Sequence, residues 1–411
     1  MAFLYNISIL VYQLLIRISA PFNKKAGLWV KGRKNIWKNL SEKINPSEKK
    51  IWIHVSSLGE FEQGRPLIEG IKKKYPDIKI LLTFFSPSGY EIRKNYENAD
   101  YIFYLPSDTL NNAKKFIELT KPFLVVFVKY DFWFNYISCI AEKKIPIVFI
   151  SSIFRKNQHF FKWYGGWFRK HLKKINHFFV QDISSENLLK GIGINQVTAC
   201  GDTRFDRVYS ITQNVKPFPD IQNFCGDSTI FIAGSTWPPD ENILIPFINS
   251  GKTNYKFIIA PHLVDKAHIS SITEKIKVPY ILYSEISAKD FSDKNVLVID
   301  CIGILSNVYQ YAHIAYIGGG FGVSIHNIQE PATFGMPIIF GPKHTKFREA
   351  VELIKEGGAF CINNENEFYD IIKKLENTNV LKASSEISKK YIQKNIGATK
   401  IILENISKYF V

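Results

Sequence analysis

Glu60 is the first residue whose place in the chain suggests chemistry. It closes the run Ser56-Ser57-Leu58-Gly59-Glu60, directly after the apolar stretch Ile51-Trp52-Ile53-His54-Val55. A carboxylate on a loop leaving a strand stands where a general base stands. It also stands where an acidic residue simply favours the dipole of the next helix. Both readings are open from the residues alone. Ser86-Pro87-Ser88-Gly89 follows a second apolar run and is small and polar, suited to receiving an acceptor or to an ordinary turn. In Val128-Lys129-Tyr130-Asp131-Phe132-Trp133-Phe134-Asn135, Asp131 is a second candidate carboxylate or a helix N-cap. Gly234-Ser235-Thr236-Trp237 offers hydroxyls and amides at a strand exit, as a phosphate site would. The most specific stretch is Gly318-Gly319-Gly320, leading through His326 and Asn327 to Glu330. Glycines let backbone approach a phosphate, and a carboxylate beyond them suits the hydroxyls of a ribose. It is not a GxGxxG at the head of the chain, so a dinucleotide oxidoreductase is disfavoured.

These loops need strands to carry them. Apolar runs lie at 51–55, 78–83, 101–104, 123–128, 145–151, 177–181 and 197–200, with helical stretches between most of them. Continuous apolar strands separated by helices predict a parallel sheet covered on both faces. The alternation lapses over 208–228, around Pro217 and Pro219, and resumes at 229–234, 255–260, 280–283, 295–300, 314–317, 337–340 and 359–362. The expected class is therefore α/β, with two doubly wound, Rossmann-like domains over 21–207 and 229–383, a linker at 208–228 and closing helices over 384–411. Ligands in such sheets bind beyond the carboxyl ends of the strands, where these loops lie. Pro66 is expected in the first turn of its helix, or at a kink.

Of the 411 residues 46% are hydrophobic and 22% charged, which excludes a disordered chain. Cys139, Cys200, Cys225, Cys301 and Cys361 are odd in number and widely spaced, as in a reducing compartment. The net charge of +16 suits an anionic surface or a phosphorylated substrate, and it also follows from a Lys-rich composition. No Arg-rich tract, zinc spacing or RNP-like motif supports a nucleic-acid partner. Phe3 to Ile18 is strongly apolar, and Lys24, Lys25, Lys31, Arg33, Lys34 and Lys38 follow. The run is short for a membrane span and lacks the features of a cleaved signal. Residues 1–20 are expected to form an interfacial anchor with a basic collar on anionic headgroups, the alternative being a core helix.

Taken together, the blocks resemble the 3-deoxy-D-manno-octulosonic acid (Kdo) transferases. The resemblance runs from the N-terminal helix through Arg348. It rests on Ser56 to Glu60, Gly201-Asp202-Thr203-Arg204-Phe205-Asp206, Asp300-Cys301-Ile302-Gly303-Ile304-Leu305, His326 to Pro331, and Phe340-Gly341-Pro342-Lys343-His344 with Lys346-Phe347-Arg348-Glu349. It implies a GT-B fold and inverting, metal-free and cofactor-free transfer of Kdo from CMP-Kdo to a lipid A precursor (lipid IVA). That reaction belongs to lipopolysaccharide synthesis, on the cytoplasmic face of the inner membrane. Glu60 would be the base, with Asp131 beside it. Arg204, Ser235, Thr236, His262, Gly303, Gly318, Gly319, Gly320, His326, Asn327 and Glu330 would serve the donor. Ser56, Ser57, Gly59, Ser86 and Ser88 would face the acceptor.

The chain departs from the family pattern in three places. The usual Met-Glu-Thr-Glu-Leu-Trp-Pro-Asn block has Lys129 for its first acid and Asp131 for its second. The Gly-Asn-x-Lys-Phe-Asp block has become Gly201 to Asp206, and a Pro-Arg-His run is shortened to Pro261-His262. Two other readings share much of this pattern. One is a GT-B enzyme using a UDP-sugar on a lipid acceptor. The other is a non-catalytic, basic membrane-binding protein on a degenerate GT-B fold.

Overall fold

A computed structural model describes residues 1–251 and 254–410, so Val411 of the closing stretch lies outside the described residues. The chain forms two compact units. One comprises Met1–Arg207 and the C-terminal stretch from Ile396, the other Val208–Asn395.

The first unit is built on seven parallel strands: β1 (Lys50–Val55), β2 (Lys79–Phe84), β3 (Tyr101–Tyr104), β4 (Leu124–Val128), β5 (Ile147–Ser152), β6 (His177–Val180) and β7 (Val197–Ala199). Their order is 3-2-1-4-5-6-7, so the sheet reverses direction between β1 and β4. Alternation inside β1 explains why the run is continuously apolar. Ile51, Ile53 and Val55 pack into one buried cluster and Trp52 into another, on the opposite face. The helix after β1 runs unbroken over Leu58–Lys74 and contains Pro66, well past the first turn that its proline suggested.

The second unit repeats the plan with β8 (Thr229–Thr236), β9 (Tyr255–Pro261), β10 (Tyr280–Leu282), β11 (Val296–Val298), β12 (Ile314–Ile317), β13 (Ile338–Phe340) and β14 (Ala359–Cys361). The order is 10-11-9-8-12-13-14, again all parallel. The stretch 208–228 holds the end of a helix over Thr203–Gln213 and a short helix over Pro219–Cys225. The closing region holds a helix over Thr378–Asn395 in the second unit and one over Ala398–Ile406 in the first. Asp206 ties the latter down, accepting from the N–H groups of Gly397 (2.6 Å) and Thr399 (2.7 Å).

Three helices precede β1: α1 (Ala2–Ser19), α2 (Lys24–Arg33) and α3 (Ile36–Lys43). No residue of α1 is buried. One side nevertheless docks on the first unit. Tyr5 donates to the buried Asp108 (2.5 Å) and packs edge-on to Phe134, and Tyr12 stacks near Phe85. The other side exposes Phe3, Leu4, Leu10, Leu14, Leu15 and Ile18. α1 is therefore neither a core helix nor free of the domain.

Candidate active site

In the first unit the candidate residues converge because β1, β2 and β4 are neighbours and end at the same edge. Val55 pairs with Phe84, and the Ser86 N–H donates to Ser56 O (2.7 Å), joining the loops after β1 and β2. Ser86 caps the helix over Pro87–Arg93, its Oγ 2.9 Å from Ser88 Oγ. Ser57 caps the helix over Leu58–Lys74, and Glu60 completes a capping box. Glu60 Oε2 accepts from the N–H groups of Ser56 (2.6 Å) and Ser57 (3.2 Å). Gly59 is exposed within that helix, and a Cβ there would meet nothing within 4 Å.

Asp131, after β4, lies against Glu60. Its Oδ2 is buried 3.4 Å from His54 Nε2. The indole N–H of Trp133 can only donate, so His54 Nε2 accepts it (2.9 Å), and the His54 proton sits on Nδ1, facing Thr83 Oγ1 (2.8 Å). His54 is fully buried, and burial pushes its pKa down to about 3, so the ring is neutral. Asp131 therefore faces a lone pair, not a proton. Burial, and then the charge of Glu60, raise the Asp131 pKa well above the ordinary carboxyl range. Burial also raises Glu60, opposed by the Ser56 amide and by the ammonium of Lys129. Both carboxyls are thus pushed toward holding a proton, Asp131 further than Glu60. Lys129 sits in the left-handed region (φ 69°) at the exit of β4, a strained conformation for a residue with a Cβ.

Arg204 also belongs to the first unit, at the start of the helix over Thr203–Gln213. Its Nε donates to Asp202 Oδ2 (2.9 Å), and Gln63 donates to the same carboxylate. It does not share a unit with the other donor-side residues.

The second unit gathers Ser235, Thr236, His262, Gly303, Gly318, Gly319, Gly320, His326, Asn327 and Glu330. β8 is the central strand between β9 and β12, so its exit meets the loops of both. Ser235 is left-handed (φ 54°), where the pairing of β8 with β9 slips register. Trp237, His262 and His326 form a stack, with centroids 4.6 Å and 4.4 Å apart along it. Trp237 donates to His326 Nε2 (2.9 Å); burial, and then His262, lower the His326 pKa to about 4. Asn327 caps the turn, accepting from Gln329 N–H (3.0 Å) and donating to Glu330 Oε1 (3.1 Å). Gly303 is left-handed (φ 97°), in a bend before the helix over Leu305–Val308.

The glycine run does a different job from the one its sequence suggested. The Gly318 N–H donates to Gly234 O (2.9 Å), and the Gly319 N–H donates to the buried carboxylate of Asp240 (2.9 Å). A Cβ on Gly318 would strike the backbone of Ser235 and Thr236, and one on Gly320 that of Gly341. Two of the amides expected to cradle a phosphate are thus committed to the protein itself. Gly318 and Gly320 are small because backbone segments cross there. Sequence reading also passed over Asp240 and Glu241. Both are buried: Asp240 accepts from Tyr316 OH (2.8 Å) and Trp237 N–H (3.0 Å), and Glu241 from Thr236 Oγ1 (3.0 Å). The available signal was Trp237-Pro238-Pro239-Asp240-Glu241, two acids at a helix start that a strand exit leads into. His54 was likewise missed, although it interrupts an otherwise apolar strand.

Two parallel α/β units of this order define a GT-B glycosyltransferase architecture. A UDP-GlcNAc 2-epimerase from Neisseria meningitidis, solved with UDP-GlcNAc, has a similar fold: TM-score 0.62 at 18% identity, over 87% of this chain and all (100%) of that one. A glycosyltransferase from Rickettsia africae gives a TM-score of 0.54 at 15% identity, over 88% and 98% of the two chains. Residues 31–207 match the family described as 3-Deoxy-D-manno-octulosonic-acid transferase (kdotransferase). A 3-deoxy-D-manno-octulosonic acid transferase of Aquifex aeolicus is 28% identical over 364 residues, 84% of this chain and 92% of that protein. Along most of its length the chain is thus similar to Kdo transferases, which are glycosyltransferases.

Proposed function

We propose that the protein transfers Kdo from CMP-Kdo to the lipid A precursor lipid IVA, inverting the anomeric carbon, as a step of lipopolysaccharide synthesis. The observation that carries this reading is the Glu60–Asp131 pair at the exit of β1. A carboxylate held by two backbone amides, next to a carboxyl that keeps its proton, is a fixed and available base. In the step, the acceptor hydroxyl oxygen attacks the anomeric carbon and its proton passes to Glu60. The bond from that carbon to the phosphate oxygen breaks, and CMP leaves with the electron pair. The higher pKa of Asp131 favours keeping a shared proton there, which leaves Glu60 as the carboxylate that accepts.

Ser56, Ser57, Ser86 and Ser88 border the acceptor in this reading, and Gly59 leaves room for it. The donor belongs to the second unit. Glu330 receives the ribose hydroxyls, and Ser235, Thr236, His262, Gly303, His326 and Asn327 surround the nucleotide. Transfer proceeds without a metal or cofactor, since a single phosphate leaves. α1 lies in the cytoplasmic leaflet of the inner membrane, its exposed apolar side down and its basic collar on anionic headgroups. The reading is supported by the similarity to Kdo transferases and by the exposed face of α1. The test is incubation with tetraacyl lipid A precursor and freshly generated CMP-Kdo, followed by the product mass. A gain of one or more Kdo units is expected. No gain with CMP-Kdo, but a sugar gained from a UDP-sugar, would overturn the donor.

A further inference from the structure

Beneath α1 lies a pocket lined by none of the residues assigned above to base, donor or acceptor. It has a volume of about 520 Å³ and is bounded by α1, α2, the start of α3 and the loop after β3. Arg17, Arg33 and Lys34 line it together with Gln13, Ser107 and Thr109, and none of its lining residues is acidic. Among the described residues no carboxylate pairs with any of the three cations.

Arg33 is the least ordinary of them. Its guanidinium donates to the backbone carbonyls of Leu105 (2.9 Å), Trp29 (3.2 Å) and Phe85 (2.8 Å). It lies 4.0 Å from the centre of the Trp29 ring, 5.0 Å from Phe85 and 4.7 Å from Tyr104. Burial lowers its pKa to about 9, which leaves it charged at neutral pH. A cation sunk among rings and carbonyls without a counter-charge is costly unless something anionic meets it. Two further donors on the pocket wall are orphaned. Gln13 Nε2 and Trp29 Nε1 are buried and have no hydrogen-bond partner. Buried donors are rarely left unpaired in folded proteins, so this pair marks a place for an acceptor. Three cations, two idle N–H donors and no acid describe a phosphate site.

A neighbouring groove indicates what carries the phosphate. It holds about 270 Å³, shares Trp29 with the pocket, and is lined by Tyr12, Ile16, Phe85 and Pro87, with Lys25 and the acceptor-side Ser86 at its edge. An apolar groove beside an anion pocket, both under a helix with an exposed apolar face, fits an amphiphile. The geometry points to a built site for the phosphate-ester headgroup of an anionic lipid, with Arg17, Arg33, Lys34, Gln13 and Trp29 as its donors and the groove taking the start of an acyl chain. This rests on the interfacial reading of α1. The lipid would also brace the active edge. Arg33 holds the carbonyl of Phe85, whose ring packs 4.7 Å from Trp133, the donor to His54.

The test titrates the full chain with dihexanoyl phosphatidic acid below its micelle concentration, with dihexanoyl phosphatidylcholine, and with inorganic phosphate. Heat and the indole N–H resonance of Trp29 are followed. Saturable one-to-one binding of phosphatidic acid is expected, with the Trp29 resonance displaced and the two controls much weaker. Each charge-assisted bond lost should weaken binding roughly 10- to 150-fold, so Arg17→Gln and Lys34→Gln should each show it while leaving the Arg33 scaffold intact. Inorganic phosphate binding as well as the lipid would overturn the lipid assignment. No saturable binding, or unchanged affinity in both variants, would overturn the site. Vesicle binding by Leu10→Ser/Leu14→Ser reads the membrane role of α1 separately, so the failure of either reading can be told from the failure of the other.

Discussion

Replacing Glu60 by Gln separates its two structural roles, because Glu60 is both the closing residue of a capping box and the proposed base. The cap is measurable from the geometry. One oxygen takes the Ser56 and Ser57 amides at 2.6 Å and 3.2 Å. A glutamine carbonyl still accepts them, so the loss is the difference between a charge-assisted and a neutral bond plus part of the helix-dipole contribution, about 1–2 kcal/mol. Burial of the carboxylate, which raises its pKa, offsets some of that. Losing a general base costs far more in rate, on the order of 10²–10⁴-fold, or about 3–5.5 kcal/mol of barrier. The assay pairs single-turnover Kdo transfer with urea unfolding of the same sample. The expected result is a folded variant, slightly less stable, with transfer reduced at least a hundredfold by that estimate. A variant that loses stability but transfers at the wild-type rate would show that Glu60 only caps its helix.

Asp131→Asn removes a carboxyl whose folded pKa is raised by burial and by Glu60. A raised pKa contributes stability that is complete below the unfolded carboxyl range, near 3.9, and that is lost as pH rises through the folded value. The urea midpoint of Asp131→Asn should therefore gain on wild type as pH rises above the unfolded carboxyl range, and a constant difference would refute the raised Asp131 pKa. Glu330→Ala should weaken CMP binding roughly 10- to 150-fold by calorimetry, with acceptor affinity unchanged, and equal CMP affinity would move the nucleotide elsewhere. Gly318→Ala drives a Cβ into the backbone of Ser235 and Thr236, and should cost more than about 2 kcal/mol in thermal unfolding. Gly59→Ala meets open space and should leave stability level or improve it by up to about 1 kcal/mol, so similar losses in the two would contradict the packing argument.

The alternation of apolar runs with helices was legible throughout. Every strand expected between Ile51 and Ile362 has a counterpart in β1 to β14, because a parallel strand covered on both faces cannot tolerate polar interruptions and so announces itself. Glu60, Asp131, Ser57 and Ser86 were legible as loop residues at strand exits, since strand order in an open α/β sheet brings carboxyl ends to one edge. The stretch 208–228 was not legible as helix, its prolines masking the short helix that begins at Pro219.

The sequence by itself determined the fold class, the likeness to Kdo transferases and the residues from which a site would be drawn. Those depend on local periodicity and on motif identity. Tertiary structure raised the Asp131 pKa, because it buries that carboxyl and sets it beside Glu60, 71 residues upstream. It placed Gly318 and Gly320 where backbone segments cross, and it revealed Asp240 as the buried partner of Gly319. It also placed one side of α1 on the domain and left the other bare. Each of these depends on which groups share a low-dielectric space. Chain spacing does not encode that; packing does.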